Sequence, residues 1–193
     1  MADTKGARTS ARLTESMLDL IQRHGYSGTG LNTVVQHAGA PKGSLYFHFP
    51  DGKEALGEKA VELAAAQLAA LAAEVTPGAA TPGAAVRRFI EALAGILVES
   101  DYELGCPVSV VTLEMGGQSE RLRTACANAF ASWIDPLAAH LVAHGRSAPA
   151  AHATATAVVS LIEGAVIVSR AQRSTQPLDY AAQAVGILVD GTP

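Results

Sequence analysis

The sequence predicts an all-α protein of about nine helices, because helical period dominates its apolar pattern. No stretch alternates apolar and polar residues for long enough to make a strand. The run Val108-Ser109-Val110-Val111 is the one rival, and it is too short. The alanine-rich stretches at 64–73 and 148–157 favour helix over disorder, since alanine is the best helix former.

Each element has its own signal. In 9–25, Leu13, Met17, Leu20 and Ile21 mark one helix face, and Gly25 is a stop. A short second helix fits Leu31 to Ala38, with Leu31, Val34 and Val35 inward, and Gly39-Ala40 makes a tight turn. Pro41 suits the first position of a third helix reaching Phe49, because its missing N–H costs nothing there. After the turn Pro50-Asp51-Gly52, Asp51 is a candidate N-cap for a long fourth helix, with Glu54 completing a capping box. Leu56, Ala60, Leu63, Leu71 and Val75 are its inward positions. Two Pro-Gly pairs make 76–83 a linker loop, and Val86, Phe89, Ile90, Leu93 and Leu97 mark a fifth helix. A shorter apolar piece spans Cys106 to Met115. A long helix then carries Leu122, Cys126, Phe130, Trp133, Leu137 and Leu141, with Pro136 expected to kink or divide it. Helices over about 148–173 and 178–189 finish the chain.

Composition excludes several classes. Of 193 residues, 49% are hydrophobic, 17% charged and 5% aromatic, which is too apolar for a disordered chain. The most apolar stretch, 153–169, is interrupted by Glu163 and falls short of the ~20 apolar residues of a membrane span. The first twelve residues are polar with no apolar run behind them, so no signal peptide and a cytoplasmic location are expected. Two cysteines make no disulfide scaffold. The net charge of −4 speaks against nucleic acid until it is divided. Residues 1–59 hold all the lysines and carry +1, whereas the remainder carries −5, so an anionic partner belongs to the N-terminal end.

The run from Leu31 to Phe49, LNTVVQHAGAPKGSLYFHF, reads as two short helices around a glycine-containing turn. That is a helix-turn-helix, whose second helix enters the major groove. Lys42 and Ser44 stand at the exposed start of that helix, and Gly43 has no side chain to hold the backbone off DNA. Tyr46 and His48 can donate to phosphates, and Lys53 opens the next helix where its charge and the helix N–H groups can face one. Leu45, Phe47 and Phe49 are assigned to the core. Lys5, Arg8 and Arg12 form a basic arm or first-turn contacts.

The segment AGAPKGSLYFHFPDGKEAL resembles the recognition helix and following turn of the tetracycline-repressor (TetR) family of bacterial transcriptional regulators. The likeness runs from Arg8 to Lys59 through Gly25-Tyr26, Ala38-Gly39, Gly43, Leu45-Tyr46, His48-Phe49 and Lys53-Glu54-Ala55-Leu56. Ala-Pro-Lys-Gly-Ser, the inserted Pro50-Asp51-Gly52 and the later GCPVSVVTLE and AFASWIDPLAAHL resemble its LmrA/YxaF-like branch. One departure is Gly30, where the family often has a helix-capping threonine that touches phosphate; Thr29 or Thr33 would take over.

The resemblance implies a homodimeric repressor, with a DNA-binding domain at 1–52 and a ligand-binding and dimerisation domain at 53–193. Its head binds a palindromic operator in double-stranded DNA. A small planar aromatic or lipophilic effector, of the kind flavonoids and drug-like compounds represent, moves the fourth helix, spreads the heads and releases the operator. The expected pocket residues are Phe89, Cys106, Val110, Glu114, Phe130, Trp133 and Glu163. The last two helices would pair with their mates through Val158, Leu161, Ile162, Ala165, Val166, Tyr180 and Leu188. Independently of the resemblance, apolar residues on more than one face of 158–168 imply burial on two sides.

Plainer readings stand beside these. Helix-spaced aromatics serve as core, Glu114 and Glu163 can lie on an exposed strip, and Cys106 can be a small buried hydrophobe. The rival functions are an α-helical enzyme with Cys106 as nucleophile, or a small-molecule sensor without DNA binding. No cysteine and histidine spacing identifies a catalytic or metal site, and no cofactor or membrane partner is expected.

Overall fold

The computed structural model describes residues 5–191. The side chain of Lys5, expected to join a basic arm, lies outside the described residues. The described residues form nine helices and no strand: α1 Lys5–Gly28, α2 Leu31–His37, α3 Ser44–His48, α4 Lys53–Val75, α5 Pro82–Glu99, α6 Pro107–Met115, α7 Glu120–Ala143, α8 Ala148–Gln172 and α9 Gln176–Asp190. The Val108–Val111 run is helical, as part of α6.

Two compact units divide the chain. The first holds 1–66 and 107–129, and the second holds 67–106 and 130–193. α4 and α7 therefore each contribute one end to either unit. This packing differs from a division at residue 52, because α1 packs on α6 as well as on α2 and α3.

In the first unit, Leu13, Met17, Ile21, Val34, Leu45 and Leu56 are almost fully buried. The regular part of α1 stops at Gly25, which adopts φ +77°, a left-handed backbone open to glycine at little cost. The turn after α2 is fastened from outside. A guanidinium nitrogen of Arg12 donates to the Ala38 carbonyl, and Gly39 follows at φ +56°. Arg12 is thus a brace of the helix-turn-helix rather than part of a free arm.

Two cap expectations need correction. The third helix begins at Ser44 and not at Pro41, because the Pro41 carbonyl accepts both the Ser44 N–H (2.9 Å) and the Ser44 hydroxyl (2.7 Å) in a tight turn. Asp51 does not cap α4. Its carboxylate takes Arg121 at 3.0 Å, while the Gly52 carbonyl accepts the first helical bond from Leu56 N–H.

In the second unit, α9 packs against α5 and α8, with Ile90, Val158, Leu178 and Val185 at the centre. Thr81 caps α5 by accepting from Ala84 N–H, with Pro82 in the first turn. Asp190, at the end of α9, accepts from Thr81 and from Gly83 N–H, placing a negative charge at the α5 N-terminus. Arg146 donates to the Leu188 and Val189 carbonyls that α9 leaves unpaired. α7 continues through Pro136 as one helix. α8 is long and apolar enough, by length and composition, to cross a membrane, and its Ala155, Val158, Ile162 and Val166 are buried in the second unit's core.

Candidate nucleic-acid interface and ligand cavity

The outward face of the helix-turn-helix is set by helical arithmetic. Residues four apart share a face, so Leu45 and Phe49 point inward together, at 1% and 5% exposure. Phe47 lies between them on the opposite side and is 82% exposed, against its assignment to the core. Tyr46 beside it is 63% exposed. Lys42 and Gly43, one turn earlier, are exposed, and Ser44 and His48 are half-buried. The Phe47 and His48 rings meet edge-on, 5.0 Å apart.

The two threonines flanking Gly30 separate into different roles. Thr29 is 2% exposed and its hydroxyl donates to the Gly25 carbonyl at 2.7 Å, so it fastens the end of α1 and is closed to DNA. Thr33 is exposed on α2. Gly30 is the N-cap of α2 and gives no side-chain cap bond. Arg8 is exposed on the first turns of α1. Lys53 is less free than expected: its ammonium sits 4.4 Å from the centre of the Tyr26 ring. Burial pushes the Lys53 pKa down, and the Glu114 charge partly offsets this. Burial, assisted by the charge of Glu54, pushes Tyr26 up to about 12.

Glu114, expected in the pocket, is bonded within the first unit. Its carboxylate accepts the Ser27 N–H at 2.6 Å, tying α6 to the end of α1 beyond the kink at Gly25. A side chain at Gly25 would collide with that carboxylate. The partner that a half-buried acid needs is thus supplied within the protein.

The second unit contains a cavity of about 560 Å³. Leu68, Ala69 and Ala72 of α4 line it, as do Thr76 and Pro77 to Ala79, so the Pro-Gly stretch read as a linker contributes to the cavity's lining. Phe89 of α5, Trp133 of α7 and Glu163 of α8 line it as expected. Cys106, Val110, Glu114 and Phe130 lie elsewhere, although the Phe130 ring meets Trp133 edge-on at 5.5 Å. His140 and His144 also line the cavity, with ring centres 4.3 Å apart. Among the described residues, Glu163 and these histidines are its ionisable lining.

The expected pairing residues split by exposure. Val158, Ile162, Ala165 and Val166 are at most 8% exposed within one chain, and Leu161 packs against the same core. Tyr180 and Leu188 are exposed at 58% and 41%. The other uncovered apolar side chains on these helices are Ile167, Val168 and Ile187, at 51%, 43% and 59%. The two-sided burial of α8 is therefore met largely inside the protomer.

Neither cysteine forms a disulfide, and burial pushes the Cys126 thiol up, which opposes thiolate formation. Among the described residues, no group of three or more His, Cys, Asp or Glu is placed to hold a metal ion.

The sequence family of bacterial regulatory proteins, tetR family, matches residues 13–60, the helix-turn-helix and its supports. The C-terminal domain of LmrA/YxaF-like transcriptional regulators matches 82–184. The HTH-type transcriptional regulator YxaF of Bacillus subtilis is 35% identical over 170 residues, covering 88% of this chain and 89% of the relative. The chain belongs to the TetR family. The regulator LmrA of the same organism is 32% identical, covering 86% of this chain and 88% of its own length. Two solved structures share the fold: a TetR-family regulator from Cytophaga hutchinsonii (TM-score 0.82, 20% identity, 99% and 98% of the two chains) and a TetR protein from Rhodobacter sphaeroides (TM-score 0.81, 23%, 91% and 96%).

This TetR-family chain is accordingly a DNA-binding transcriptional regulator and not an enzyme. The reading from sequence missed Phe47, the histidine pair and the brace made by Arg12. Phe47 was within reach, because spacings of two do not share a helix face. The other two depend on contacts between residues distant in sequence.

Proposed function

We propose that this TetR-family regulator is a homodimeric repressor, released from a palindromic operator when a small lipophilic ligand enters the cavity of the second unit. The observation that carries this reading is the continuity of α4. Its first half buries Leu56 and Ala60 in the first unit, and its second half lines the cavity with Leu68, Ala69 and Ala72. A ligand that displaces the second half acts on the helix that supports the head. Arg8, Thr33, Lys42, Gly43, Ser44, Tyr46 and His48 are the DNA-facing set, with Lys53 turned to Tyr26 and Thr29 serving packing. Functionally, 1–52 reads DNA and 53–193 senses and pairs. Pairing uses the exposed Ile167, Val168, Tyr180, Ile187 and Leu188. The protein acts in the cytoplasm.

The cavity chemistry limits the ligand. Apolar walls with Phe89 and Trp133 suit a planar lipophile.

The test is binding of the full-length protein to duplexes from the region upstream of its own gene, with flavonoids and lipophilic amines added in turn. Specific binding that weakens steeply with salt and is relieved by such a compound supports the reading. Salt-sensitive binding that no compound relieves overturns ligand release, and the absence of specific binding overturns the repressor assignment.

A further inference from the structure

Resting on the DNA-binding reading, we infer that Phe47 is a specificity residue that reads the 5-methyl group of a thymine in each operator half-site. Phe47 is 82% exposed, the most exposed of the large apolar side chains described. Its ring has an edge contact with His48, which leaves most of its surface uncovered. An aromatic ring held in water gains much by burial, so its occupant must be apolar at the point of contact.

Its neighbours say what that occupant is. One turn before Phe47 stands Gly43, and nothing lies within 4 Å of where a Gly43 side chain would be, so the backbone there can approach a partner closely. Lys42 and Tyr46, both exposed and close to Phe47 along the chain, carry a cation and a hydroxyl, groups that engage phosphates. An exposed apolar side chain among such residues, on the second helix of a helix-turn-helix, suits the floor of the major groove. The apolar group displayed there is the thymine methyl; the other base edges present donors and acceptors. Lys42 and Tyr46 then set position, while Phe47 discriminates.

Replacing thymine by deoxyuridine removes that methyl and preserves base pairing. A palindromic duplex would be enriched from a random pool by the full-length protein, and each thymine replaced in turn. The expected result is a loss of about fourfold per half-site at one thymine, the factor that burial of one methyl-sized group corresponds to. Phe47→Ala should bind the thymine and deoxyuridine duplexes equally. Lys42→Ala should weaken both and keep their ratio. If no replacement affects the parent protein, or if Phe47→Ala keeps the thymine preference, the inference is overturned and the DNA-binding reading stands. If no duplex is enriched, both fall. Because the Phe47 side chain is outside the core, Phe47→Ala should keep the parent's helical circular dichroism and melting temperature; Phe47→Leu, which stays apolar, should retain part of the preference.

Discussion

Thr29 and Thr33 lie four residues apart, on either side of the start of α2, and do opposite work. The Thr29 hydroxyl is enclosed and donates to the Gly25 carbonyl, whereas Thr33 stands in solvent beside the uncapped N-terminus of α2. Thr29→Ala should therefore lower stability by about 1 kcal/mol, because it removes a part-buried hydrogen bond. Thr33→Ala should leave the melting temperature within error and weaken operator binding; thermal unfolding and a duplex titration separate the two. Tyr26 offers a pH test. Its pKa is raised from 10.0 to about 12 in the folded state, so the folded protein holds that proton more tightly than the unfolded chain. The resulting stability is complete below pH 10 and is lost as pH rises towards 12. The lowered pKa of Lys53 on the same ring acts in the opposite sense, so the comparison must be with Tyr26→Phe. Denaturant melts from pH 9 to 12 should show a steeper decline for the parent than for Tyr26→Phe.

Among the elements, α6 packs on α1 and adds one hydrogen bond to its end. Glu114 accepts the Ser27 N–H just beyond the kink at Gly25, and a Cβ at that glycine would displace this carboxylate. Glu114→Ala should cost about 0.5–1 kcal/mol, because the bond is exposed, and should speed hydrogen exchange at the Ser27 amide. Gly25→Ala should be destabilising in the parent through both its φ of +77° and the collision with Glu114. Combined with Glu114→Ala, its cost should fall to the backbone part alone, a non-additivity that a double-mutant cycle measures. The helix boundaries show which local signals decide. Thr81-Pro82 and Gly25 punctuate the chain as their chemistry implies. Pro41 and Asp51 do not, because Ser44 and Arg121 offer their oxygens better partners than a helix cap does.

For the whole molecule, the decisive question is which apolar surface a second copy covers. Val158 and Ile167 are both apolar residues of α8, at 0% and 51% exposure. Val158→Asp should place an unpaired charge in the core and destabilise the protein by more than about 3 kcal/mol. Ile167→Asp should leave each protomer folded while shifting the mass measured by light scattering towards the monomer and weakening operator binding. A folded monomeric Ile167→Asp that binds the operator as well as the parent would sink the dimeric reading.

The sequence by itself determined the helix count, the helix-turn-helix with its Lys42, Tyr46 and His48, and the family, because all of these are local patterns of spacing and turn residues. It also placed Phe89, Trp133 and Glu163 in the lining of one cavity. Tertiary structure decided the rest. It decided that Glu114 faces Ser27, that Arg12 braces Ala38, that Thr29 points inward, and that the first compact unit reaches beyond residue 52. It also decided which apolar residues of α8 are already buried in their own protomer. Helical spacing states which side chains share a face. It does not state what that face meets, since the partners are separated by tens of residues along the chain and brought together by packing alone.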